Sequence, residues 1–232
     1  MTTALTQAPR TPSKTLLNFP LALDLDQLDT DIAILGVPYG LPYYPHGMAN
    51  DQSLAPDAIR QNAAYVPYTL TSYDWDLDGT LFDGRDIKVV DCGNVTADLN
   101  DHQEHYRRAE AAAQKIFASG ATLITLGGDH GIPIPIMRAL ERDKPITLVH
   151  IDAHLDWRDE INGVHEGYSS PIRRNQKWTR FWRYFRIIAP PSESRFLLIP
   201  LDSRLSTFFQ SKIPNLRSGR SIQLTWLATG LY

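Results

Sequence analysis

Two short polar clusters each follow an apolar run that has the composition of a β-strand. Gly127-Gly128-Asp129-His130 comes directly after residues 122–126, and Asp152-Ala153-His154-Leu155-Asp156 comes directly after residues 146–151. Carboxylate and imidazole groups together are ligands that suit Mn²⁺, Fe²⁺, Zn²⁺ or Co²⁺. The two clusters therefore predict a divalent metal site.

The spacing within the second cluster predicts how its side chains are arranged. In an extended segment, residues i, i+2 and i+4 lie on one face, so Asp152, His154 and Asp156 are expected to converge. His130, at the end of another parallel strand, is expected to join them as a fourth ligand. The alternative is a solvated acidic turn with a surface histidine.

Neighbouring polar residues are weaker candidates. His150 lies inside a predicted strand, two residues before the second cluster. We interpret it either as a buried core residue or as a partner that orients a ligand. His102 and His105 lie three residues apart on a polar helix and are expected on its solvated face. Asp129 either orients His130 or caps the next helix.

The elements that must position these residues alternate along the chain. Apolar runs closed by Pro or Gly predict strands, and segments rich in Ala, Glu, Arg and Gln predict helices. Such alternation favours a mainly parallel sheet covered by helices, in which sites collect at the carboxyl ends of strands. The predicted strands are residues 31–37, 87–93, 122–126 and 146–151. One predicted helix begins at residue 55, and two further helices are predicted over residues 101–119 and 132–142.

Composition excludes several classes of protein. A chain of 232 residues with 43% apolar residues is long enough to bury a core. Its single cysteine, Cys92, excludes an internal disulfide framework and a cysteine-rich zinc module. No apolar run approaches the roughly 20 residues that span a bilayer. We therefore expect a cytoplasmic protein that binds neither membrane nor nucleic acid.

Charge is distributed unevenly and divides the chain. Residues 1–174 carry 14 basic and 24 acidic residues, whereas residues 175–232 carry nine basic and two acidic ones. A basic tail can bind nucleic acid, but the abrupt change favours an interrupted reading frame. We expect a flexible leader over residues 1–29, an α/β domain over residues 30–174, and a divergent, poorly ordered tail over residues 175–232.

The two polar clusters, in this order on successive strands, resemble the ureohydrolase family of arginases and agmatinases. Pro56-Asp-Ala-Ile-Arg60 and Ser169-Ser-Pro-Ile-Arg-Arg174 add weaker support. The resemblance covers residues 30–174 and is closer to the agmatinases. It implies a three-layer α/β/α fold with a mainly parallel sheet, here incomplete at its C-terminal end.

The resemblance also implies a chemistry. Members of the family hold two Mn²⁺ ions, which lower the pKa of water so that it attacks a guanidinium carbon near neutral pH. By position, His130 and Asp156 would bind one ion, His154 the other, and Asp152 both. The products would be urea and an amine, the substrate a small linear guanidino compound, and the protein a homo-oligomer.

This sequence departs from the family pattern in two places. The family takes two further metal-binding aspartates from a later Ser-x-Asp-x-Asp segment, but after Arg174 the only acids are Glu193 and Asp202. The family histidine before the Pro-x-Arg-Arg stretch is replaced by Tyr168, and His165 lies three residues earlier as a candidate proton shuttle. We therefore expect impaired turnover.

Two alternatives to a guanidino hydrolase remain open at the level of sequence. A metallophosphoesterase also uses Asp-x-His, but its further motifs are absent from this sequence. A non-catalytic pseudoenzyme or subunit could retain the fold without turnover. Detection of urea with added Mn²⁺ discriminates between these possibilities.

Overall fold

The computed structural model describes residues 8–40, 43, 51–63, 70–75, 78–98, 101–140 and 146–176, together with the strands at 182–188, 197–199 and 223–224. For residues 146, 147, 176 and those last three strands it describes the backbone only. The chain divides into two compact units, residues 1–140 and 141–232. Within the described residues, no helix is long and apolar enough to cross a membrane.

The first unit contains a three-stranded parallel sheet with strand order β2-β1-β3. Its elements alternate as the sequence predicts, with three 3₁₀ turns at Leu16–Asn18, Leu25–Gln27 and Asp51–Leu54. They are β1 (Ile32–Val37), α1 (Ala55–Ala63), β2 (Val89–Asn94), α2 (His102–Ala118), β3 (Thr122–Gly127) and α3 (Pro133–Arg138). The parallel arrangement is confirmed.

One face of α2 supplies much of the core of this unit. Ala109, Ala113 and Ile116 are completely buried, at the spacing that places residues on one side of a helix. The carboxylate of Asp101 caps the helix by accepting the backbone N–H of Glu104 at 3.0 Å. The buried residues of α2 form one apolar cluster with Ala33 and Leu35 of the central strand β1.

A buried ion pair joins α1 to β2. Arg60 donates from Nε and Nη2 to the two carboxylate oxygens of Asp91, at 2.8 and 2.9 Å. It also donates to the Asn94 side chain at 2.6 Å and to the Gly93 carbonyl at 3.0 Å. Both charged side chains are wholly buried. The Arg60 that ends the Pro-Asp-Ala-Ile-Arg motif therefore anchors the fold.

Residues 8–29 pack on the first unit, which differs from the flexible leader that the sequence suggests. Arg10 and Asn94 exchange backbone hydrogen bonds of 2.7 and 3.0 Å. The backbone N–H of Leu16 donates to Asp91 at 2.8 Å, and Phe19 and Leu25 are buried. The apolar residues of this segment, which composition alone does not distinguish from a leader, cover one edge of the core.

The second unit contains a four-stranded sheet with strand order β6-β5-β4-β7. Its elements are β4 (Ile146–Ile151), α4 (Pro171–Gln176), β5 (Trp182–Ile188), β6 (Leu197–Ile199) and β7 (Gln223–Leu224). Strands β5 and β7 pair parallel to β4, and β6 pairs antiparallel to β5. The sheet therefore continues beyond residue 174, where the sequence predicts a divergent, poorly ordered tail.

Helix α3 is shorter than predicted. It ends at Arg138, and the N–H of Ala139 is shared between the carbonyls of Pro135 and Ile136, both at 3.2 Å. Such bifurcated bonds tighten and end a helix. The sequence predicts a helix that extends to residue 142, but residues 141 and 142 lie outside the described part of the chain.

Candidate metal site

Three side chains of types that can ligate a metal lie together at the carboxyl end of β4, within the second unit. His150 Nε2 lies 3.7 Å from Asp152 Oδ2 and 3.8 Å from Asp156 Oδ2. Ligand atoms of the three residues lie within 4.8 Å of one another. His150, Asp152 and Asp156 are only 6%, 8% and 7% exposed. We call these three residues the β4 triad.

Local backbone geometry brings Asp156 back to the triad. Its φ of 50° lies in the left-handed region, which Asp tolerates better than most residues. The carboxylate of this residue, four positions beyond Asp152, lies near the same imidazole as Asp152. The N–H of Arg173 donates to the Asp156 carbonyl at 3.4 Å and holds the turn to α4.

Asp152 presents its second carboxylate oxygen to His154. The backbone N–H of His154 donates to Asp152 Oδ1 at 2.6 Å, and its ring Nδ1 lies 3.4 Å from the same atom. The His154 side chain is 82% exposed. The expected alternation of Asp152, His154 and Asp156 on one extended face is therefore not what the backbone adopts, because the strand ends at Ile151.

His150, for which the sequence leaves open a buried core residue or a partner of a ligand, is buried and lies near both carboxylates. In a strand, residues i and i+2 share a face, and His150 precedes Asp152 by two. The same rule that groups Asp152 with His154 thus places His150 beside Asp152, and it applies more securely to His150 because that residue lies within β4.

His130, the fourth predicted ligand, is half-buried at the carboxyl end of β3 in the first unit. The preceding Asp129 is buried and accepts the N–H of Gly131 at 2.8 Å. Gly128 packs on the backbone of Tyr39, with no room for a Cβ. Close backbone contact between the ends of β1 and β3 thus fixes the loop that carries His130.

Asp91 and Asn94, at the carboxyl end of β2, form hydrogen bonds that stabilise the fold of the first unit. Both oxygens of Asp91 accept from Arg60, and they also accept the N–H groups of Gly93 and Leu16 at 2.9 and 2.8 Å. These contacts of Asp91 therefore lie within the first unit.

His165, the candidate proton shuttle, lies on the loop between β4 and α4. Ile161 and Val164 exchange backbone hydrogen bonds across Asn162-Gly163, which both have positive φ. Asn-Gly is the sequence typical of this tight turn. His165 follows the turn and is exposed, with Nδ1 3.0 Å from the carbonyl of Asp159.

The donor set of the β4 triad fits a divalent cation. Two buried carboxylates this close together repel each other when both are ionised. A cation of charge 2+ offsets that repulsion, and oxygen with imidazole nitrogen is the ligand combination of Mn²⁺, Fe²⁺ and Zn²⁺. No thiolate takes part, since the only cysteine, Cys92, is buried in the first unit.

The sequence is similar to those of several agmatinases. It is 34% identical to the agmatinase of Photorhabdus laumondii over 141 residues, which are 60% of this chain and 44% of that protein. It is 33% identical to the mitochondrial agmatinase of Gallus gallus over 162 residues, covering 68% of this chain and 44% of that protein. The chain thus spans less than half the length of these two curated relatives.

The fold is similar to solved structures of related hydrolases. Proclavaminate amidino hydrolase from Streptomyces clavuligerus superposes with a TM-score of 0.61 at 22% identity, over 81% of this chain and 60% of that one. A formiminoglutamase from Trypanosoma cruzi with Mn²⁺ gives 0.61 at 23% identity, over 81% and 59%. At these identities the likeness shows the fold alone.

A family model extends the match beyond the region that the motifs cover. It matches residues 30–206, about three quarters of the chain. The expectation that the family resemblance ends at residue 174 is therefore wrong, and the parallel strand β5 lies within the matched segment. On this match, together with the agmatinase relatives and the shared fold, the chain belongs to the arginase family.

Proposed function

We propose that this chain is a metal-dependent hydrolase of the agmatinase type, which releases urea and an amine from a small linear guanidino compound. The observation that carries the proposal is the β4 triad: two buried carboxylates and an imidazole gathered at a strand end in a chain of the arginase family. The identities of 33% and 34% to agmatinases support this substrate class over other members.

The residues proposed to hold the metal are His130, Asp152, His154 and Asp156, with His150 against the two carboxylates. Mn²⁺ is the proposed ion, two per subunit in the family. When bound, it supplies the lowered pKa of water that hydrolysis of a guanidine requires, because a guanidinium carbon is a poor electrophile.

Asp152 is proposed to serve both metal positions. Its Oδ2 faces His150, and its Oδ1 faces His154. Because its two oxygens lie near different imidazoles, Asp152 would be the carboxylate shared between the residues that would hold the two ions. The backbone N–H of His154 fixes the carboxylate by donating to Oδ1.

His165 is proposed as the proton carrier. A proton must reach the departing amine nitrogen, and histidine gains and loses protons near neutral pH. Its position on the loop that joins β4 to α4 places it on the same chain segment as Asp152 and Asp156.

Reduced turnover is part of the proposal. The only acids after Arg174 are Glu193 and Asp202, which do not form a Ser-x-Asp-x-Asp segment. Two neighbouring cations need negative ligands to offset their repulsion, so we propose weak occupancy of the second position. We also propose a cytoplasmic homo-oligomer, with no nucleic-acid or membrane partner.

The proposal is tested by measuring urea from agmatine and other guanidino compounds at saturating Mn²⁺. We expect urea from the unmodified chain and a loss of at least about 100-fold in Asp152→Asn, because that change removes a ligand charge. Asp29→Asn is the matched control, since the Asp29 side chain is 88% exposed on the first unit. Failure of every guanidino substrate would leave the non-catalytic alternative.

A further inference from the structure

The loop that carries His165 is tied to α4 through one residue, Asp159. Arg174 Nη2 donates to the Asp159 carbonyl at 2.8 Å and also to its carboxylate. His165 Nδ1 lies 3.0 Å from the same carbonyl. The same backbone oxygen thus accepts a hydrogen bond from an arginine of the helix and contacts the imidazole of the loop.

The chemistry of this oxygen determines which nitrogen of His165 carries a proton. A carbonyl oxygen only accepts hydrogen bonds, so Nδ1 must be the donor. In neutral His165 the proton then resides on Nδ1, and Nε2 is the nitrogen that takes up or gives off a proton. The bond to Asp159 persists in both protonation states, so proton transfer at Nε2 leaves the ring in place.

Arg174 is the fixed part of this arrangement. It is only 8% exposed, and its backbone N–H donates to the Ser170 carbonyl at 2.9 Å in the first turn of α4. Ile172 and Ser170, beside it, are also buried. The guanidinium therefore reaches the loop from an anchored helix, whereas Asp159 itself is 57% exposed at its side chain.

The preceding arginine makes a different set of contacts. Arg173 Nε lies 3.4 Å from the Asp159 carboxylate, and its guanidinium lies 5.8 Å from the centre of the Trp157 ring. No bond from Arg173 to the Asp159 carbonyl is found among the described residues. Two adjacent arginines thus share one acid, and Arg174 alone of the pair contacts the oxygen that faces His165.

We propose that Arg174 is a positioning residue that acts through the Asp159 carbonyl to hold His165 in its Nδ1–H tautomer, with Nε2 as the proton-transfer atom. The catalytic consequence of this arrangement rests on the proposed function, because only turnover needs the proton at Nε2. The tautomer itself does not depend on turnover.

The tautomer is measured directly by ¹⁵N NMR of the full chain with labelled histidine, at a pH where the ring is neutral. The His165 signals are assigned by their loss in His165→Gln. We expect a protonated Nδ1 and an unprotonated Nε2 in the unmodified chain. A His165 that carries its proton on Nε2 there would overturn the proposal, and this measurement requires no variant of Arg174.

The role of Arg174 is measured with Arg174→Gln and its matched control Arg173→Gln. We expect Arg174→Gln to give a mixture of the two tautomers, and Arg173→Gln to keep the Nδ1–H form. Arg174→Lys, which keeps the charge but not the forked donor, is expected to be intermediate. Equal effects of the two glutamine changes, or none from Arg174→Gln, would show that Arg174 does not position the ring.

Kinetics then separate this proposal from the proposed function. If the chain produces urea, Arg174→Gln is expected to lower kcat about 10-fold or more with KM changed less than about twofold, because a proton-transfer group and not a binding group is displaced. Absence of urea in the unmodified chain would refute the proposed function. The tautomer measurement would still test the role of Arg174, because it does not depend on turnover. An unchanged kcat with a shifted tautomer would remove the catalytic consequence.

Discussion

Asp152 presents its two carboxylate oxygens to two different histidines, one buried and one exposed. His150 is 6% exposed and faces both carboxylates of the β4 triad. His154 contacts Asp152, and its side chain is 82% exposed. The two histidines therefore differ in what surrounds them, although both lie within two residues of the same acid.

This difference leads to a prediction for manganese binding by calorimetry. We expect His150→Ala to weaken the affinity about 10- to 100-fold, because the ring lies beside two carboxylates that must be held for the ion. His102→Ala on α2, in the first unit, is the control and should leave the affinity within twofold. Equal affinities of His150→Ala and the unmodified chain would remove His150 from the site.

The sequence predicts which side chains come together better than it predicts how exposed each residue is. The carboxylates of Asp152 and Asp156 are brought together as expected. His105, expected on a solvated helix face, is wholly buried and stacks on Tyr39 with ring centres 4.4 Å apart. Its spacing fits either face of α2, and the deciding partner, Tyr39, lies far away in the sequence, so pattern alone could not settle the matter.

At the level of elements, the buried Arg60–Asp91 pair determines how α1 and β2 fit together. A buried charge that loses its partner costs far more than the pair contributes. The Cβ of an alanine at position 36 on β1 would also overlap the Asn94 side chain that Arg60 contacts. Because of these contacts, we expect single substitutions where α1 meets β2 to destabilise the fold.

We expect Arg60→Met to lower the free energy of unfolding by about 3–5 kcal/mol, because it removes the cationic partner of the buried Asp91. Arg85→Met is the control, since Arg85 is exposed and bonds only to a local carbonyl among the described residues. Denaturation in urea measures both. The double change Arg60→Met with Asp91→Leu should cost less than the sum of the single changes, and strict additivity would contradict the coupling.

Element positions follow from sequence more closely than element ends do. The four predicted strands begin within two residues of β1 to β4. The sequence does not predict strands β5 to β7, because residues 175–232 show no clean alternation. These strands are identified by their pairing with neighbours, parallel for β5 and β7 and antiparallel for β6. Likewise, the packing of residues 8–29 depends on bonds to β2 about 75 residues away.

For the molecule as a whole, His105 couples stability to pH. Burial is the main cause that lowers its pKa from 6.5 to about 4, with the nearby Arg108 adding to the effect and Asp98 opposing it. The folded state thus keeps His105 neutral at a pH where the unfolded chain protonates it. Because the unfolded state binds more protons, stability falls as the pH falls from about 6.5 to about 4.

We expect this residue to contribute a loss of up to about 3 kcal/mol between pH 7 and pH 4. His105→Phe keeps the stacking on Tyr39 but cannot be protonated, so its urea midpoint should decline less over the same range. His102→Phe is the control, because that ring is only half-buried. Parallel declines for His105→Phe and the unmodified chain would show that other groups cause the acid sensitivity.

The bonds between residues 8–29 and β2 have a consequence for synthesis on the ribosome. Leu16 and Arg60 both donate hydrogen bonds to the carboxylate of Asp91. Arg10 exchanges backbone hydrogen bonds with Asn94. Residues 8–29 are synthesised before β2, so these hydrogen bonds cannot form until about 75 further residues have followed. Over that interval Phe19 and Leu25 lack the packing that buries them in the folded chain, and exposed apolar side chains of this kind favour aggregation.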